Sequence, residues 1–98
     1  MDTPPVRTLV QYGSLLKFVG QKQASYQFLD QAVQQYNNGL VFSSEDVGMV
    51  ALASWLMDNF HDANSLFNES IRANPNNLEA HVLWGDLFLE KYNASDAE

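Results

Sequence analysis

Apolar residues along this chain recur at spacings of three and four, the period of a helix with one buried face. Leu9, Tyr12, Leu16 and Val19 form a first stripe, and Phe28, Leu29, Ala32, Val33 and Tyr36 a second. Val47, Val50, Ala51, Ser54 and Leu56 form a third, and Ala63, Leu66, Phe67, Ser70 and Ile71 a fourth. His81, Trp84, Gly85 and Phe88 open a fifth. No long alternating run competes with this pattern, so the expectation is an all-α chain.

The breaks between stripes have chemical causes. Pro4 and Pro5 suit a first helical turn, where the missing N–H is not needed. Gly20 ends the first helix and Asn37-Asn38-Gly39 the second, because glycine tolerates the left-handed closing residue. Ser43 or Ser44, followed by Glu45 and Asp46, reads as an N-cap with acids on the positive helix end. Asp58-Asn59 breaks the third helix, and the Asn74-Pro75-Asn76-Asn77 turn stops the fourth. Five helices follow, near residues 5–19, 23–36, 44–57, 60–73 and 77–91. Tyr92 to Glu98 reads as a loop and the start of a sixth.

Equal helices joined by short turns call for a repeat. Gly13, Ala51 and Gly85 sit mid-helix, 38 and 34 residues apart, and Ala63 and Ala97 are also 34 apart. The fifth helix reads His81-x2-Trp84-Gly85-x2-Phe88, with Ala97 after it. The third and fourth read Val47-x2-Val50-Ala51-x2-Ser54, then Ala63-x3-Phe67, then Pro75. The first pair reads Leu9-x2-Tyr12-Gly13-x2-Leu16, then Ser25-x3-Leu29 and Ala32. On these residues the chain resembles the tetratricopeptide repeat family, whose pattern is W-x2-L-G-x2-Y, A-x3-F and P. Asn37 stands where proline is usual, and Leu40 to Ser43 are extra.

The resemblance implies one domain over residues 1–98, with repeats near 6–39 and 44–77 and a truncated one over 78–98. It implies antiparallel helix hairpins stacked as a right-handed superhelical array of about two and a half repeats. Small residues at Gly13, Ala51, Ala63 and Gly85 would let paired helices approach, with Tyr12, Leu29, Phe67, Trp84 and Phe88 filling the space beside them. A sixth helix would then cover Trp84 and Phe88. The chain stops before it, which points to a piece of a longer array, or to a homodimer joined through Trp84 and Phe88.

In such an array the first helix of each pair lines the concave side. The faces left over there carry Arg7, Val10, Gln11, Ser14, Lys17 and Phe18, then Glu45, Met49, Leu52, Trp55 and Leu56, then Glu79, Val82, Leu83, Asp86 and Glu90. Met49, Leu52, Trp55, Leu56, Val82, Leu83 and Asp86 are therefore the expected partner-binding residues. An apolar strip beside acids suits a peptide or partner protein with aliphatic anchors and some positive charge, and Trp55 is the expected anchor. One branch of the family holds chaperone C-terminal carboxylates with basic residues and asparagine. The matching places here hold Val10, Ser14, Met49, Glu79 and Leu83, so that function is not expected.

Charge and chemistry narrow the picture further. The chain has 98 residues, 12 acids and 5 bases, for a net charge of -7, and no cysteine. Residues 1–38 carry a net +1 and residues 39–98 a net -8. Nucleic acid is an unfavourable partner for such a surface. Val47 to Met57, the longest near-apolar run, is about half of the ~20 residues a membrane span needs. The first residues lack a signal-peptide profile, so a cytoplasmic location and no membrane insertion are expected. His61 and His81 form no metal-binding pair, and no nucleophile–base pair or phosphate-binding glycine loop is present. Asn68-Glu69-Ser70 and Asn93-Ala94-Ser95 fit the glycosylation pattern but are expected by chance. The expectation is a non-catalytic interaction module without metal or cofactor, serving as a peptide scaffold, a self-association module, or the regulatory arm of a larger enzyme or assembly machine.

Overall fold

The computed structural model describes the backbone of residues 4–96 and the side chains of residues 4–91. Its elements are five helices: α1 (Val6–Phe18), α2 (Lys22–Asn37), α3 (Ser44–Leu56), α4 (Phe60–Ala73) and α5 (Leu78–Asp96). The described backbone contains no strand.

The turns close as their residues require. After α1, the Gly20 N–H donates to Lys17 O and the Gln21 N–H to Leu16 O, with Gly20 at φ +87°. This paired closure satisfies carbonyls that the helix end would otherwise strand. Gly39 and Leu40 close α2 in the same way, on Tyr36 O and Gln35 O. Asp58 and Asn59 close α3 on Trp55 O and Ser54 O, and Asp58 takes φ 66°. Aspartate is one of the few residues other than glycine that tolerates this conformation.

The helix starts are equally legible. Pro5 stands just outside α1 as its N-cap. Ser43 caps α3, its Oγ accepting from the Asp46 N–H at 3.1 Å. Asn74 Oδ1 accepts from the Asn76 N–H at 3.1 Å, which shapes the turn before α5. One expected boundary moves. The α5 backbone stays helical through Asp96 instead of giving way to a loop at Tyr92. Nothing from Tyr92 to Asp96 is a glycine or proline, so no residue there forces a stop. Ala97 lies outside the described residues.

Side-chain bonds set the direction of each pair. Gln35, late in α2, donates to Pro4 O at the head of α1. Ser44, first in α3, and Ser70, late in α4, bond to each other's backbone. Both pairs are therefore antiparallel hairpins. Lys17 Nζ donates to Leu56 O, joining the last turns of α1 and α3, so these two run in the same sense. α3 is the central element, packing on α1, α2, α4 and α5. The whole measures 47 × 34 × 19 Å, about two helix diameters thick.

Two apolar clusters hold it together. Val6, Leu9, Val10, Leu29, Ala32, Met49, Val50 and Ala53 join the first hairpin to α3. Ala51, Trp55, Ala63 and Phe67 form the second, with Leu83, Trp84 and Leu87 of α5 against it. In each hairpin a small residue lets the second helix approach. Gly13 lies against Leu29, and Ser25 Oγ donates to Gly13 O at 2.6 Å. Ala51, Ala63 and Phe67 share the matching cluster in the second hairpin.

Candidate functional site

The site begins with a parallel pair of helices. α1 and α3 lie side by side, and a trough of about 370 Å³ runs between them, lined by Val10, Gln11, Ser14, Leu15, Phe18, Met49 and Leu52. Val10 and Met49 are buried and form its floor. Leu15 and Phe18 stand on its outer wall, 57% and 88% exposed. Gln11 and Ser14 are its polar groups. Lys17 ties α1 to the Leu56 carbonyl in the last turn of α3, where a cation is favoured by the helix dipole.

Seven residues were expected to bind a partner, and the structure divides them. Leu52 lines the trough, half-buried. Leu56 is half-buried and its carbonyl takes the Lys17 ammonium. Val82 and Asp86 are exposed on α5, and Leu83 is half-buried against the second cluster. Met49 and Trp55 are corrected in their exposure. Met49 is 4% exposed and Trp55 8%. Trp55 packs edge-on against Phe60 at 4.9 Å and belongs to the core with Ala63 and Phe67. The cause is α3's central position, which leaves it little outward face. Met49 can still offer the trough its edge, but Trp55 is a core residue.

Trp84 is corrected as well. It was expected to await a covering helix, yet it is half-buried against α4 of the preceding hairpin. Its ring stacks on Phe67 at 5.9 Å, and its Nε1–H donates to Asn64 Oδ1 at 2.8 Å. Phe88, its companion in that expectation, is 42% exposed. Gly85, expected to sit against a partner helix, has no described atom within 4 Å of where a Cβ would lie.

Three features had no counterpart in the sequence reading. Leu15 is one; its spacing of three from Phe18, off the core stripe, was the available signal. The second is an ion pair spanning the molecule. Arg7 Nη2 and Nη1 donate to Glu79 Oε1 and Oε2 at 2.7 and 3.1 Å, joining α1 to α5. The third is a shallow depression of about 310 Å³ between α2 and α4, where the Tyr36 hydroxyl donates to Glu69 Oε1 at 2.6 Å. That bond raises the Tyr36 hydroxyl above its ordinary value.

The Arg7 hydrogen bond lowers the Glu79 carboxyl below its ordinary value, and the same bond raises Arg7. A carboxyl lowered on folding stabilises the fold above its unfolded pKa and stops doing so as pH falls through its folded pKa. Both side chains are well exposed, at 40% and 46%, so the pair contributes less than about 1 kcal/mol. Glu79→Gln is therefore expected to lower the melting temperature by no more than about 8 °C at neutral pH and low salt. That difference should vanish on acidification through the Glu79 titration, or near 1 M salt. A deficit that persists in acid would show that Glu79 acts by packing instead.

Among the described residues, no group of three or more acidic or histidine side chains is placed to hold a metal ion. No described helix is long and apolar enough to cross a membrane. His61 is exposed, and His81 Nε2 lies 3.1 Å from Pro75 O at the turn before α5. No protein-family model, curated protein or solved structure gives a significant match to the chain.

Proposed function

We propose that this chain is a non-catalytic helical-repeat module of the tetratricopeptide type. It captures a peptide or partner protein along the α1–α3 trough, and the bound segment continues onto Val82 and Asp86 of α5. One observation carries the reading: Phe18 and Leu15 are large apolar side chains held in water beside a trough with a buried apolar floor. Covering one such side chain returns about 1.5–3 kcal/mol, and apolar side chains gathered around one groove, unlike those scattered singly, mark an interaction surface.

Shape and charge describe the ligand. The trough offers two apolar walls and the amide and hydroxyl of Gln11 and Ser14, which suits an extended or helical segment with two or three apolar anchors. Glu45, Asp86 and Glu90 are exposed acids on the α3 and α5 side, so the segment carries Lys or Arg towards its α5 end. Phe18 takes the anchor role first assigned to Trp55. Self-association through Trp84 and Phe88 is the weaker reading, because two copies that each carry a net -7 repel one another.

A displayed library of random peptides tests this directly. Selection on the wild-type chain should enrich sequences with spaced apolar residues and a basic end. Phe18→Asp, at a site open to water, should keep the fold and weaken the selected peptides by at least about ten-fold. No enrichment, or peptides that bind Phe18→Asp as tightly as wild type, would remove the proposal.

A further inference from the structure

Gly85 breaks a rule that most of α5 obeys. It sits mid-helix, where glycine is less favourable than every residue but proline, and no described atom comes within 4 Å of its missing Cβ. The other two mid-helix glycines are explained by their neighbours. A Cβ on Gly13 would meet Leu29 Cδ2 at 2.6 Å, and one on Gly48 would meet Ser70 Oγ at 3.3 Å. Both let a second helix come close. Gly85 has the same character with open space above it.

The surface around Gly85 is shaped to receive a helix. His81, Trp84, Gly85, Phe88 and Leu89 line an open recess of about 480 Å³. Their spacing of three and four lays them along one face. Leu78 and Val82 widen that face, 74% and 59% exposed. Asp86 follows Val82 by four and precedes Leu89 by three, so it rims the face, and Glu90 continues the rim. Both acids are exposed. On the Trp84 edge, Lys91 is held over the Phe60 ring, 4.1 Å from its centroid.

We infer that this face of α5 seats an amphipathic helix from a partner polypeptide, with a bulky apolar residue over Gly85 and Lys or Arg along the Asp86 edge. Close approach over a glycine sets the shape of the occupant, and the acidic rim sets its charge. A second copy of this chain is a poorer fit. Each copy carries a net -7, and like charges brought together oppose association. The recess around Gly85 shares no lining residue with the α1–α3 trough; the two sites meet only at the Val82–Asp86 edge, so Phe18→Asp, which alters the trough alone, tells them apart.

The probe is a synthetic amphipathic helix of about 18 residues, with a leucine stripe flanked by lysines, and a twin flanked by glutamates. Calorimetric titration into the full chain should show one-to-one binding of the lysine peptide and at least about ten-fold weaker binding of its twin. Gly85→Leu should weaken the lysine peptide by a similar factor. It should melt no lower than wild type, since leucine favours a helix and nothing obstructs it. Phe18→Asp should bind the lysine peptide as wild type does. The inference is overturned if the lysine peptide does not bind, or if Gly85→Leu binds it unchanged. It is also overturned if Phe18→Asp loses it, or if sedimentation shows the chain alone as a dimer that Gly85→Leu dissolves.

Discussion

Phe67→Ala is expected to cost about 3–5 kcal/mol of folding stability. Phe67 is completely buried and is the largest such side chain described. It fills the space that Ala51 and Ala63 leave between α3 and α4, and its outer face carries the Trp84 ring. Removing it empties the second hairpin and takes away the platform on which α5 rests. A domain of this size has about 5–15 kcal/mol in hand, so the loss is a large share of the total. The melting temperature should fall by at least about 12 °C. Urea unfolding followed by circular dichroism measures the free-energy loss, and a thermal melt measures the fall in temperature. Phe67→Leu keeps most of the volume and should cost appreciably less. A Phe67→Ala loss below about 1 kcal/mol would mean that the α3–α4 packing is not as described.

Asn77→Ala comes next, at about 2–3 kcal/mol. Asn77 is buried and does two things at once. Its Oδ1 accepts from the Ala80 N–H at 3.2 Å and so caps α5. Its Nδ2 donates to Ser44 Oγ at 2.9 Å and reaches Ser70 Oγ at 3.4 Å. Three helix ends, the start of α3, the end of α4 and the start of α5, meet in this one polar knot. Truncation removes the cap and takes a donor from two buried hydroxyls. Asn77→Asp separates the effects: it keeps the cap but replaces the amide donor with an acceptor, so it should recover only part of the loss. Full recovery in Asp would show that the cap alone matters.

Much of the local structure was legible because it rests on local chemistry. Glycine at 20 and 39, the Asp58-Asn59 pair and the Asn74-Pro75 turn mark helix ends through backbone conformation, which neighbouring residues determine. The small-residue positions were legible for a related reason. Gly13 and Ala51 sit where a helix partner comes close, and a large residue four places beyond a small one or a serine supplies the filling in both hairpins.

The site was less legible because α3 has no polar face to read. It touches four other helices, so Met49 and Trp55 point at protein where a wheel drawn for one exposed side points them at a partner. Periodicity identifies a buried face only when the remaining faces see water. The Ser44–Ser70–Asn77 knot was invisible for another reason. Its members are 26 and seven residues apart in sequence, and serine or asparagine near a helix end reads equally well as a simple cap. Arg7 and Glu79, 72 positions apart, had no sequence signal at all. The far end of α5 was hard to read because Asn93, Ser95 and Asp96 are weak helix formers, while Ala94 is a strong one and nothing from Tyr92 to Asp96 ends a helix.

The most direct test of the binding account is amide chemical-shift mapping of the full chain with the best peptide from the library selection. The largest shifts are expected at Val10, Gln11, Ser14, Leu15, Phe18, Met49 and Leu52, with little change at Tyr36, Asp62 and Glu69 between α2 and α4. Shifts concentrated on the α2–α4 side, with α1 and α3 unmoved, would contradict it.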